Sequence, residues 1–251
     1  MGAFLLPPAH ARTATADALD GAPDANATPK GARHRGSSDL DAEGVALLLK
    51  NDYAGALKKF DQSLALNPKN ARALANRATA RYKLGDDDGA IADFKAATAL
   101  IPKLKAALAI QTSDAYYRRA SRLAGLGDRA KATEDLYDSV RLNRKNAPAY
   151  AMIGESAVLN AEYRTALDYF DRAISLDRDL DAAYAGRARA LLELGKARPA
   201  LSDVDAAILL EPSQPVYFLL RARIDRALGL ADQALKDERR AEELKVKKPG
   251  P

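Results

Sequence analysis

The feature that most constrains this chain is self-similarity at a period of 34 residues. Ala56, Phe60 and Pro68 return 34 residues later as Ala90, Phe94 and Pro102. Taking Ser37, Ala71, Ser113, Ala147, Asp181 and Pro215 as first residues aligns six segments, spaced by 34 except for 42 between the second and third. A period in this range marks stacked supersecondary units. None of them buries its apolar face alone, so neighbours must fold together.

The aligned columns explain the packing. Position 20 is alanine in all six segments: Ala56, Ala90, Ala132, Ala166, Ala200 and Ala234. Position 8 holds Gly44, Ala78, Ala120, Gly154, Ala188 and Ala222, and position 27 is always Ser or Ala. Such small residues let two antiparallel helices cross closely. Large residues at position 4 (Leu40, Leu74, Tyr116, Tyr150, Tyr184, Phe218) and position 24 (Phe60, Phe94, Leu136, Phe170, Val204) fill the space around the crossing. Gly85, Gly127, Gly195 and Gly229 at position 15 end the first helix, where a left-handed residue is needed. Pro68, Pro102 and Pro212 at position 32 stop the second helix. The reading is an all-α, right-handed α-solenoid of six helix–turn–helix units. An alanine-rich composition favours helix throughout.

These columns resemble the tetratricopeptide repeat family over residues 37–248. The chain departs from the pattern at Arg144, Arg178 and Val246, which replace proline, and at position 4, which lacks tryptophan. Glu238 stands where the other segments have a large apolar residue. Charge on that side of the last helix suits a terminal unit with no following repeat.

Three stretches fall outside the period. Residues 105–112 are eight extra residues without Gly or Pro, expected to lengthen the first helix of the third unit from near Lys103. Residues 1–38, with Pro7, Pro8, Pro23 and Pro29 and no periodicity, read as disordered ahead of an array at 39–248. Residues 249–251 read as a tail. Phe4-Leu5-Leu6 before Ala9-His10-Ala11 has the look of the end of a secretory signal. It lacks the basic start and the apolar core of one. Coincidence and a leader whose start lies upstream both stay open, so the compartment, cytoplasmic or exported, stays open too. No stretch approaches the ~20 apolar residues of a membrane span.

Chemistry is hard to place. There is no cysteine, and both histidines, His10 and His34, precede the repeats. That removes thiol, zinc-thiolate and histidine-based catalysis from the repeats. No phosphate-cradling or dinucleotide-binding glycine motif is present. Asp86-Asp87-Asp88-Gly89 lacks the alternating ligands of a calcium loop and reads as a helix cap. No cofactor, metal or enzyme activity is expected. A net charge of +5 fits an acidic partner but falls far short of a nucleic-acid binder's basic face.

What the resemblance implies is protein binding in a concave groove lined by the first helices. Carried onto this chain, the groove candidates are Arg72, Asn76, Tyr82, Tyr117, Arg118, Arg189, Arg223 and Arg226. Some family members hold an acidic chaperone tail in a two-carboxylate clamp. Asn76 and Arg118 match two clamp positions, but Asp41, Val45 and Asp114 occupy the others and oppose that ligand. Arg189, Arg223 and Arg226 fall on successive first helices and suit bidentate carboxylate binding. The expected function is an adaptor or scaffold for a partner's peptide or helix. A self-associating scaffold is the alternative. RNA binding, marked by a steep loss of affinity with salt, is a third reading.

One consequence tests the register. Ala166→Leu overfills the crossing in the fourth segment and is expected to cost about 1–3 kcal/mol. A thermal melt indistinguishable from that of the parent chain would contradict the alignment.

Overall fold

The computed structural model describes residues 32–246. The segment 1–31 and residues 247–251 lie outside the described residues, and with them most of the stretch read as disordered, the leader-like residues and the tail. Every element among the described residues is a helix: α1 (Ala32–Leu49), α2 (Tyr53–Leu66), α3 (Ala71–Leu84), α4 (Asp87–Leu100), α5 (Leu104–Gly125), α6 (Arg129–Leu142), α7 (Ala147–Leu159), α8 (Tyr163–Leu176), α9 (Asp181–Glu193), α10 (Ala197–Leu210), α11 (Pro215–Ala227) and α12 (Ala231–Val246). The fold class is the all-α repeat solenoid of helix–turn–helix pairs. The described residues fall into two compact bodies, divided between Arg122 and Leu123.

The start differs from the sequence reading. Residues 32–38, counted with the disordered segment, are the first turns of α1. The stretch contains no proline, and Gly36 and Ser37 are small enough to lie against α2. Ser37 is buried, with its Oγ 2.9 Å from Ser63 Oγ. The eight residues 105–112 are early turns of the 22-residue helix α5.

Turn chemistry recurs at the middle of each segment. Gly85, Gly127, Gly195 and Gly229 all have positive φ. The first and fourth segments have Asn51 and Ala161 at the same position, and these too are left-handed, with φ of 60° and 59°. Asparagine tolerates that region, but alanine places its Cβ against the following carbonyl. After three of these turns an aspartate caps the second helix. Asp52 and Asp86 each accept a backbone N–H at 2.9 Å and Asp128 accepts one at 3.3 Å.

The small-residue column is fully internal. Ala56, Ala90, Ala166, Ala200 and Ala234 expose none of their surface, and Ala132 is buried beside them. The residues at position 24 fill the adjoining space, Phe60, Phe94, Leu136, Phe170 and Val204 being buried. In the second body Phe170 sits between Gly154 on its partner helix α7 and Gly186 on the next first helix, α9. A Cβ at Gly154 would lie 2.8 Å from the ring, and one at Gly186 would fall inside its van der Waals surface. Glu238, taking that position in α12, accepts a hydrogen bond from Arg226 instead.

A charged tie joins successive hairpins. Arg77 on α3 donates from Nε and Nη2 to the two oxygens of Asp93 on α4, both at 2.7 Å, and from Nη1 to Asp61 on α2 at 2.8 Å. Arg187 repeats this with Asp203 at 2.7 Å and 2.7 Å and Asp171 at 2.6 Å. Arg221 does so with Asp237 at 2.7 Å and 2.8 Å and Asp205 at 2.7 Å. Hydrogen bonds donated to the buried aspartate, countered in part by burial, hold each guanidinium above the usual arginine range. Arg187 and Arg221 also lie over the position-4 rings of Tyr184 and Phe218, 5.7 Å from each centroid.

Two stability changes follow. Ala161→Gly removes the left-handed strain and is expected to stabilise the chain by roughly 0.5–1 kcal/mol, net of the freer unfolded backbone. A lowered denaturation midpoint would contradict it. The Asp203 side chain is 11% exposed and the Asp171 side chain 60%. Asp203→Ala strands the Arg187 fork and is expected to cost about 1.5–3 kcal/mol. Asp171→Ala should cost under about 1 kcal/mol. Urea titration of both variants checks the order.

Candidate functional site

In the first body the groove candidates close on one another. Arg118 on α5 donates from Nε to Asp87 Oδ1 at 2.9 Å and from Nη2 to the Tyr82 carbonyl at 2.8 Å. A second bond to Asp87 comes from Nη2. The guanidinium stacks 4.2 Å from the Tyr82 ring centroid. The Tyr82 hydroxyl donates to Asp114 at 2.7 Å, and burial followed by this bond pushes the phenol well above its usual range. Tyr117 is half-buried beside them, its phenol raised by burial and by the Asp114 charge. Arg72 and Asn76 are half-buried on α3. Asp41, read as the first clamp position, accepts from Asn70 Nδ2 at 2.5 Å. Arg118 and Asp114, two clamp positions, therefore belong to a satisfied intramolecular network.

The second body is different. Its first helices α7, α9 and α11 line a cleft of about 350 Å³. The floor is small and aliphatic: Ala182, Ala185 and Gly186 from α9, and Val216, Leu219 and Leu220 from α11. Glu155, Arg189, Arg223 and Tyr217 supply the polar groups. Gly186 sets the depth, because a Cβ there would also meet the Glu155 carboxylate at 2.7 Å. The Tyr217 hydroxyl is committed to Asp181 at 2.5 Å.

The two cleft arginines are incompletely served. Arg189 Nη2 donates to Glu155, while its buried Nε has no hydrogen-bond partner. Burial first, and then the charge of Arg223, lower the Arg189 pKa. Arg223, more exposed, donates to Glu193 at 3.0 Å through Nη2. The structure thus brings Arg189 and Arg223 together, as the sequence suggested, and separates Arg226 from them. Arg226 turns to Glu238 on its own hairpin partner α12 rather than to the cleft.

The sequence reading missed the Arg–Asp–Asp ties, although the alignment carries them. Arginine stands at position 7 in Arg77, Arg119, Arg187 and Arg221, and aspartate at position 23 in Asp93, Asp135, Asp203 and Asp237. It also missed the apolar cleft floor, because alanine and leucine at positions 2, 5 and 6 look like ordinary packing residues. No group of three or more potential metal ligands is assembled among the described residues, and none of the described helices is long and apolar enough to cross a membrane.

Comparison with known proteins agrees with this architecture. A tetratricopeptide repeat family model matches residues 71–104 and 147–180. Small glutamine-rich tetratricopeptide repeat-containing protein 2 of Saccharomyces cerevisiae is 28% identical over 164 residues, covering 63% of this chain and 44% of the relative. Its namesake in Mycosarcoma maydis is 29% identical over 110 residues, covering 44% of this chain and 29% of the relative. This chain thus spans less than half the length of these two relatives. Among solved structures, YrrB, described as a TPR protein with an unusual peptide-binding site, superposes with a TM-score of 0.56 at 19% identity. The match covers 75% of this chain and 93% of YrrB. At that identity the likeness concerns the fold.

Proposed function

This chain is a tetratricopeptide repeat protein, and we propose that it works as an adaptor, holding a segment of a partner protein against the inner face of α7, α9 and α11. The observation that carries this reading is the cleft itself. It is concave, apolar at its floor and bordered by two arginines, one with a buried donor left unused. Ligand sites on proteins generally have this composition: mostly apolar lining with a few convergent polar groups that set orientation. The first body supports the choice by contrast, since Nε and Nη2 of Arg118 are already taken up by Asp87 and the Tyr82 carbonyl.

Recognition would follow the usual division between anchor and rim. Apolar side chains of the partner would bury against Val216, Leu219 and Leu220, and charged groups at the edge would fix the register.

Affinity capture with the full chain tests this. Arg189→Glu with Arg223→Glu is expected to abolish capture of a specific partner while circular dichroism shows unchanged helicity. Capture unaffected by the double substitution would overturn the assignment of this face.

A further inference from the structure

The cleft also specifies what its occupant carries. Resting on the reading of this face as a protein-binding groove, we infer that the bound segment presents an aspartate or glutamate side chain to Arg189, next to an aliphatic side chain that enters the floor. In this arrangement Glu155 acts as a built-in competitor for the same guanidinium.

The argument starts from Arg189. A guanidinium recognises a carboxylate best with two parallel N–H donors. Arg77, Arg187 and Arg221 achieve this with Nε and Nη2 together, on Asp93, Asp203 and Asp237. Arg189 does not. Glu155 reaches only Nη2, and Nε stays buried and unbonded. Leaving such a donor unmet is costly, and an acceptor that displaces Glu155 and takes Nε and Nη2 together removes the penalty.

The required charge is fixed by the neighbours. Arg223 places a second cation on the same cleft as Arg189, and burial first and that charge second lower the Arg189 pKa. Glu155 and Glu193 each take one Nη2, so the arginine pair retains donors for a further anion. A neutral acceptor would satisfy Nε but leave the repulsion between the arginines in place. A carboxylate answers both.

The neighbouring floor fixes the second feature. Val216 is 60% exposed in a cleft whose floor is otherwise alanine, glycine and leucine. An exposed aliphatic residue beside an unsatisfied cation is a surface that an adjoining Leu, Ile or Met side chain would cover. A segment carrying acid and aliphatic side by side meets both at once.

The competition gives a test that packing alone would not produce. A random dodecapeptide phage library is panned against the full chain, and a selected peptide is synthesised with a fluorophore for anisotropy. Enrichment of peptides with Asp or Glu beside Leu, Ile or Met supports the inference. So does a loss of affinity of roughly 30-fold or more with Arg189→Gln. Arg189→Lys, which keeps the charge but not the fork, should weaken binding about tenfold. Glu155→Gln, which removes the competitor, should strengthen it. Weaker or unchanged binding to the Glu155→Gln variant would overturn the inference. So would selected peptides without acid whose binding ignores Arg189. If those peptides still lose binding on filling the floor with Ala182→Trp, the groove reading stands alone. If they bind the Ala182→Trp variant equally well, the groove reading falls too. A failure to enrich any peptide counts against the inference, and the capture experiment then decides the groove.

Discussion

Everything in this molecule depends on helices approaching closely over alanine. Ala56, Ala90, Ala166, Ala200 and Ala234 lie with no exposed surface at the centre of their hairpins. Such an interface gains dispersion contacts from proximity but removes little apolar area per residue from water. The buried aromatics at position 24 supply part of what is missing. Directional bonds supply the rest, and the Arg–Asp–Asp ties are these bonds. Each tie spans one hairpin and reaches the hairpin before it, so it fixes both the internal crossing and the stacking register. The aspartates at its centre are buried, and a buried carboxylate is tolerable only when its acceptors are met. The paired fork of Arg77, Arg187 or Arg221 meets them.

The same positions are filled differently where the stack changes. In the first hairpin the signs are exchanged, Glu43 on α1 pairing with Lys59 on α2 at 2.6 Å. That hairpin has no described repeat before it, and a simple pair suffices. In the fourth segment Ile153, Tyr169 and Tyr137 occupy the positions of the arginine and its two aspartates. The two tyrosine hydroxyls are 3.5 Å apart, and Tyr150 stacks on Tyr169 with centroids 6.4 Å apart. The hydroxyl contact, and burial after it, push the Tyr169 phenol up to about 12. The α6–α8 contact thus replaces charge with aromatic area. It is insensitive to salt where the ties elsewhere are partly screened.

How legible this was in the sequence depends on whether a residue speaks through a column. The alanines, the position-24 aromatics and the turn glycines could be read directly, because each recurs and each has one physical reason to be there. Ala161 escaped, since alanine does not announce a left-handed backbone, and Asn51, which tolerates one, went unread although the column itself pointed there. The early start of α1 escaped because residues 32–38 have no partner column behind them. Of the groove positions carried over from the family, Arg189 and Arg223 line the cleft. Arg226 does not, because Glu238 stands in a core position of α12 and draws that side chain toward its own hairpin. Spacing along a helix predicts a face, and a charge on the adjoining helix redirects a flexible side chain within it.

Arginines alone therefore do not mark the site. The described repeats contain many, and their role follows from how many donors the fold already uses. Arg77, Arg187 and Arg221 spend three donors on two carboxylates and are structural. Arg118 spends its donors on Asp87 and the Tyr82 carbonyl, with the Tyr82 ring beneath it, which makes a rigid brace out of a position the family uses for ligands. Arg189 alone among these combines burial with an unused Nε, and it does so beside a second cation and an aliphatic floor. A donor left unsatisfied against the general rule for buried polar groups is a cost the fold carries without structural return. Its return lies in an acceptor that another molecule brings.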